Sequence, residues 1–62
     1  MLGYVIVRLD LGFFYDGMNN WKKDIRDAKI YHTEKGASST ASYKFKDGNF
    51  IVEIRQVNIE LV

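Results

Sequence analysis

The chain opens on Tyr4-Val-Ile-Val-Arg-Leu9, where apolar residues sit at consecutive positions instead of every second one. Side chains of a strand alternate between its two faces, so an unbroken apolar, β-branched run predicts a central strand covered on both sides. Asp10-Leu11-Gly12 follows as a turn, because Gly12 can take a positive φ without a Cβ clash. Phe13-Phe14-Tyr15 then reads as a short aromatic strand closed by Asp16-Gly17. Together the two runs predict an N-terminal hairpin.

The period changes beyond the Met18-Asn19-Asn20 loop. Trp21, Ile25 and Ala28 fall at i, i+4 and i+7, the spacing of one helical face, with Lys22, Lys23, Asp24, Arg26 and Asp27 on the other. A short helix over Trp21–Ala28 is expected, capped by Asn19 or Asn20 and anchored to the core by Trp21, since so brief a helix is unstable alone. Lys29-Ile-Tyr-His32 reads as a short strand.

Thr33 to Lys46 supports two patterns. As a helix, Thr33 is the N-cap, Glu34 complements the dipole, and Ala37, Ala41 and Phe45 line one face; Asp47-Gly48 ends it. Against it stand Gly36 and the Ser38-Ser39-Thr40 run, which are poor helix formers. As a hairpin, Tyr43 and Phe45 alternate with Lys44 and Lys46 into the Asp47-Gly48 turn. The Ala37/Ala41 spacing, suited to close packing on a sheet, favours the helix. Phe50 to Val62 predicts a long final strand whose pattern changes phase. Phe50, Val52 and Ile54 share one face; Val57, Ile59 and Leu61 share the other. A bulge or bend near Arg55-Gln56 is expected to reconcile the halves.

Composition narrows the class. Sixty-two residues make one domain, spanning 1–62, with little surface to bury. The chain is 47% hydrophobic, which is the make-up of a folded protein. It has no cysteine, so disulfides and thiolate metal sites are excluded, and a lone His32 cannot build a zinc cage. A net charge of +1 gives no global attraction for nucleic acid or anionic membrane. The N-terminus has no basic segment ahead of its apolar stretch, which Arg8 and Asp10 interrupt early, so neither a signal peptide nor a membrane span is expected. A cytoplasmic protein is expected, with no membrane contact.

The order of motifs is itself informative. A Tyr4-Val-Ile strand and a glycine-aromatic strand precede Trp21, Asp24-Ile25 and Asp27-Ala28-Lys29. Then come Ile30-Tyr31, a threonine-capped segment with Ala37 and Ala41, and a closing strand. In this order the chain resembles the small uncharacterised proteins encoded in phages and prophages of Gram-positive bacteria. The resemblance implies a compact α+β fold made in the host cytoplasm and an accessory or host-modulating role. It brings no catalytic residues. The Gly36–Ser42 stretch departs from the pattern, since better helix formers are usual there.

Candidate chemistry is sparse. His32 beside Tyr31 and Glu34 allows a base–carboxylate arrangement, but a strand-end histidine is more often a surface residue. Asp24 and Asp27 share a helical face without metal-loop spacing. No catalytic, cofactor or metal residue is assigned, and an enzyme is not expected. Lys22, Lys23, Arg26, Lys29 and Lys35 cluster beside Trp21 and Tyr31, as a single-strand binder requires, but Asp24, Asp27 and Glu34 offset their charge. A protein partner or a second copy has the stronger motive. Nine aromatic side chains (four Phe, four Tyr, one Trp) are hard to hide under one helical layer. The long final strand also offers an edge.

The expectation is therefore an α+β domain, ordered β-β-(short α)-β-α-β. It has a small antiparallel sheet of three or four strands and one or two short helices on one face. Its expected core is Val5, Val7, Phe13, Trp21, Ile25, Ala28, Ile30, Ala41, Val52 and Ile54. The expected function is a non-enzymatic protein-interaction module that binds through Phe14, Val57, Ile59 and Leu61, with homodimerisation one route. The alternative is weak nucleic-acid binding through Lys22, Lys23, Arg26 and Lys29.

Overall fold

The computed structural model describes residues 2–46 and 48–58. Among these residues, four antiparallel strands and one helix make an α+β arrangement: β1 (Leu2–Arg8), β2 (Phe13–Tyr15), β3 (Trp21–Lys22), α1 (Glu34–Phe45) and β4 (Val52–Asn58). The sheet order is β3-β2-β1-β4, so the apolar β1 is flanked on both edges. Among the described residues no helix is long and apolar enough to cross a membrane.

β1 behaves as its unbroken apolar run requires. Ile6 points toward α1 and is fully buried, while Val5 and Val7, on the opposite face, are 0% and 2% exposed. Each contributes about 1.5–3 kcal/mol relative to an exposed position. The turn into β2 depends on Gly12 at φ 70°, whose amide donates to the Arg8 carbonyl at 2.8 Å. Pairing of Val7 with Phe14 and Arg8 with Phe13 then puts Phe13 and Tyr15 on the helix side and Phe14 on the far side.

The first departure from the sequence pattern comes at Trp21. Trp21–Lys22 is a strand antiparallel to β2, and the helical turn is reduced to a 3₁₀ turn over Ile25–Asp27. Local hydrogen bonding explains this. The Asp16 carboxylate accepts from the amides of Met18 (2.7 Å) and Asn20 (3.1 Å), and Gly17 and Asn19 take φ of 84° and 66°. The tight loop returns Trp21 alongside Tyr15 before a helix can start. Asp24, not Asn19 or Asn20, then caps the short turn, its carboxylate accepting from the Arg26 amide at 2.8 Å. Ile25 is consequently 40% exposed instead of lying in the core. Of the expected Lys29–His32 strand only Tyr31 pairs, exchanging two backbone hydrogen bonds with Tyr4.

Between the two patterns for residues 33–46 the helix is the one formed. The Thr33 hydroxyl accepts from the Gly36 amide at 3.0 Å, the expected N-cap. Gly36 and the serines are weak helix formers, but Ala37 and Ala41 on the buried face are small enough for close approach, and tertiary packing outweighs propensity. Ala37 and Ala41 bury against Ile6 and Tyr15, with Tyr4, Trp21, Tyr31, Phe45, Val52 and Ile54 packed around them. Tyr15 (1% exposed) and Ile6 are thus the largest buried side chains, although neither belongs to the core expected from sequence.

β4 runs without a bulge. Its register with β1 is continuous from Arg8↔Val52 to Leu2↔Asn58. The expected bulge at Arg55-Gln56 is absent because the phase change needs none: Val52 and Ile54 pack toward α1, and Val57 simply lies on the far face. The expected continuation through Ile59 and Leu61 lies outside the described residues.

Candidate functional site

The two edges of the sheet differ in kind. β3 is two residues long, whereas β4 is seven, and among the described residues nothing pairs with its outer side. The direction of its backbone groups follows from its neighbour. Tyr4 spends its N–H and C=O on Tyr31, on the side of β1 away from β4, so Tyr4↔Gln56 is a non-hydrogen-bonded pair. The Leu9 amide instead donates to the Ile51 carbonyl at 3.0 Å, so odd positions carry the β1–β4 ladder. The N–H and C=O groups of Val52, Ile54, Gln56 and Asn58 therefore point outward. Their side chains lie on the helix face, where Val52 and Ile54 are held by the core and the Gln56 amide donates to the Tyr4 hydroxyl at 3.3 Å.

On the far face β4 presents Glu53, Arg55 and Val57, directly opposite Val7, Val5 and Gly3. The Arg55 guanidinium donates to the Glu53 carboxylate at 2.9 Å, and each side chain is half exposed. Ile51, just before the strand, is 71% exposed. Phe14 and Val57 share this face and are half-buried, but Phe14 pairs with Val7 and Val57 with Gly3, at opposite ends of β1. They do not form one patch. Glu53 and Arg55 escaped the sequence reading, although an acidic and a basic residue two apart on a strand signal one charged face.

A second cluster closes the helix face at the other end. Tyr15, Trp21, Phe45 and Phe50 stack with ring centroids 5.1–5.8 Å apart. The Arg8 guanidinium lies 4.0 Å from the Phe50 centroid, and its Nε donates to Asp10 Oδ1 at 2.8 Å. All four rings are at least half-buried and Arg8 is already paired, so this is packing with a cation–π lid. Trp21 belongs here and not on a helical face with Ile25 and Ala28.

The basic segment does not assemble into one surface. Lys22 is opposite Phe14 on the far face. Lys29 lays its stem against Gly17 and sets its ammonium 5.5 Å from the Tyr31 ring centroid, on the helix side. Arg26 is engaged by Asp24, with a closest contact of 2.6 Å; side-chain and backbone hydrogen bonds from Arg26 hold the Asp24 carboxyl down at about 2. Burial pushes the Tyr31 hydroxyl up from its ordinary value. Lys23 is exposed in the bend after β3, and Lys35 is exposed on α1.

His32 is exposed, and among the described residues there is no pocket and no group of three potential metal ligands. Compared with known proteins, the chain matches no family model, no curated protein and no solved structure. The long open edge of β4 is thus the feature best suited to recognising another molecule.

Proposed function

We propose that this chain is a non-enzymatic protein-interaction module that adds its β4 edge to a strand of another chain. The observation that carries the reading is the outward row of backbone groups on Val52, Ile54, Gln56 and Asn58. Such a row can be satisfied by water or by a partner strand, and a long edge with no bulge, proline or covering element is a ready template for pairing. β4 has no bulge or proline from Val52 to Asn58 and is paired along that length with β1, which makes it a continuous template for strand addition. The resemblance of the motif order to small phage and prophage proteins favours an accessory or host-modulating role in the host cytoplasm.

A photo-crosslinking residue placed at Ile51 tests this in the cells that make the protein. A discrete adduct from Ile51, with this chain or another, and none from the exposed Leu11 in the first turn is the expected result. No adduct from Ile51 above that from Leu11 would overturn the reading.

A further inference from the structure

Resting on the edge-pairing reading above, we infer that β4 pairs with β4 of a second copy of this chain, antiparallel, with Ile54 of each copy on the two-fold axis. The outward groups restrict the registers. Val52, Ile54, Gln56 and Asn58 must face their counterparts, so the axis passes through a residue and pairs even positions with even. The charges then choose among the registers. An axis on Glu53 or on Arg55 sets like charges face to face. An axis on Val52 or on Gln56 sets each charge opposite an uncharged residue. Only Ile54 on the axis places Glu53 directly opposite Arg55 of the second copy, and Arg55 opposite its Glu53.

The remaining pairs agree with that choice. Ile54 meets Ile54 on the helix face, and Val52 meets Gln56. One step beyond the strand, Ile51, 71% exposed, falls opposite Val57. Glu53 and Arg55 of one chain are already 2.9 Å apart, so pairing joins two ion pairs into a square of alternating sign on the far face. α1 lies over β1 and β4. In the joined sheet the two helices share one face about two strand spacings apart, about 10 Å, which is ordinary helix-packing distance. The partner that fits the edge is thus its own sequence, reversed.

Sedimentation equilibrium of charge-reversed variants tests this. Wild type should be a dimer in the micromolar range. Glu53→Arg and Arg55→Glu each set like charges opposite one another and should weaken self-association roughly tenfold or more. An equimolar mixture of the two variants restores both opposite-charge pairs and should form a heterodimer as tight as wild type. Far-UV circular dichroism of each variant checks that these half-exposed changes leave the fold intact. A wild type monomeric at high micromolar concentration, single variants that associate like wild type, or a mixture no tighter than its components would each overturn the self-pairing. If the Ile51 crosslinker meanwhile captures a different chain, the edge-pairing function stands and only its self-directed form falls.

Discussion

The two edges of this sheet solve the same problem in opposite ways. β3 ends the sheet after two residues because the Asp16-capped loop delivers it late and the Asp24-capped 3₁₀ turn takes it away early. What holds it is side-chain packing: Trp21 lies 5.5 Å from Tyr15 and 5.2 Å from Phe45, centroid to centroid. β4 is held by a seven-residue ladder and leaves its outer groups unpaired among the described residues. A short edge offers little template for another strand; a long uninterrupted one offers more. Aromatic packing therefore holds one edge in place, and backbone geometry underlies the recognition proposed for the other.

The largest effect expected from disturbing this division is at Tyr15. It is the largest fully buried side chain and contacts both Trp21 and Phe45, so Tyr15→Ala should cost about 3–5 kcal/mol. That is comparable to the whole stability of so small a domain, so its melting transition should be lost or shifted far below that of wild type. A near-native melt would mean that the β3 end does not depend on its aromatic cluster.

At the small end lies the charged turn after β3. The Asp24 carboxyl sits at about 2 in the folded chain, below its ordinary 3.8. A depressed folded-state value means that its contribution is fully present above about pH 4 and is lost as pH falls toward 2. Asp24→Asn should slightly lower the melting temperature above pH 4 and converge with wild type near pH 2, since the ion pair lies at the surface and is screened by water. Self-association should not change, because the turn is far in the sheet order from β4. A variant that altered both would show the edges to be coupled.

The comparison also explains what the sequence could and could not show. β1, the first hairpin and the Thr33-capped helix were legible because each rests on one local signal: a two-sided apolar run, Gly12, or a cap with Ala37 and Ala41 behind it. β3 was not. Trp21, Ile25 and Ala28 have helical spacing, and only the positive φ at Gly17 and Asn19 turns Trp21 back onto Tyr15. Ile6 and Tyr15 were overlooked because a strand apolar on both faces does not say which face the helix will cover. At β4 the phase change was legible, but its cause was misread as a bulge, since a strand carrying different work on its two faces gives the same pattern. The proposed pairing of Glu53 with Arg55 across an axis at Ile54 can be argued only once the outward direction of the even-numbered amides is known.

Amide hydrogen exchange of Ile54, followed by NMR over a dilution series, tests the self-paired edge most directly. That amide points away from β1 and has no partner within the described residues, so in a monomer it exchanges rapidly at every concentration. Self-pairing predicts protection of Ile54 that rises with protein concentration, while the exchange of Tyr31, bonded to Tyr4 within the chain, stays constant. In Gln56→Pro, which removes an outward N–H and leaves the β1–β4 ladder intact, Ile54 should exchange rapidly throughout. Rapid, concentration-independent exchange of Ile54 in the wild type would contradict the self-paired edge.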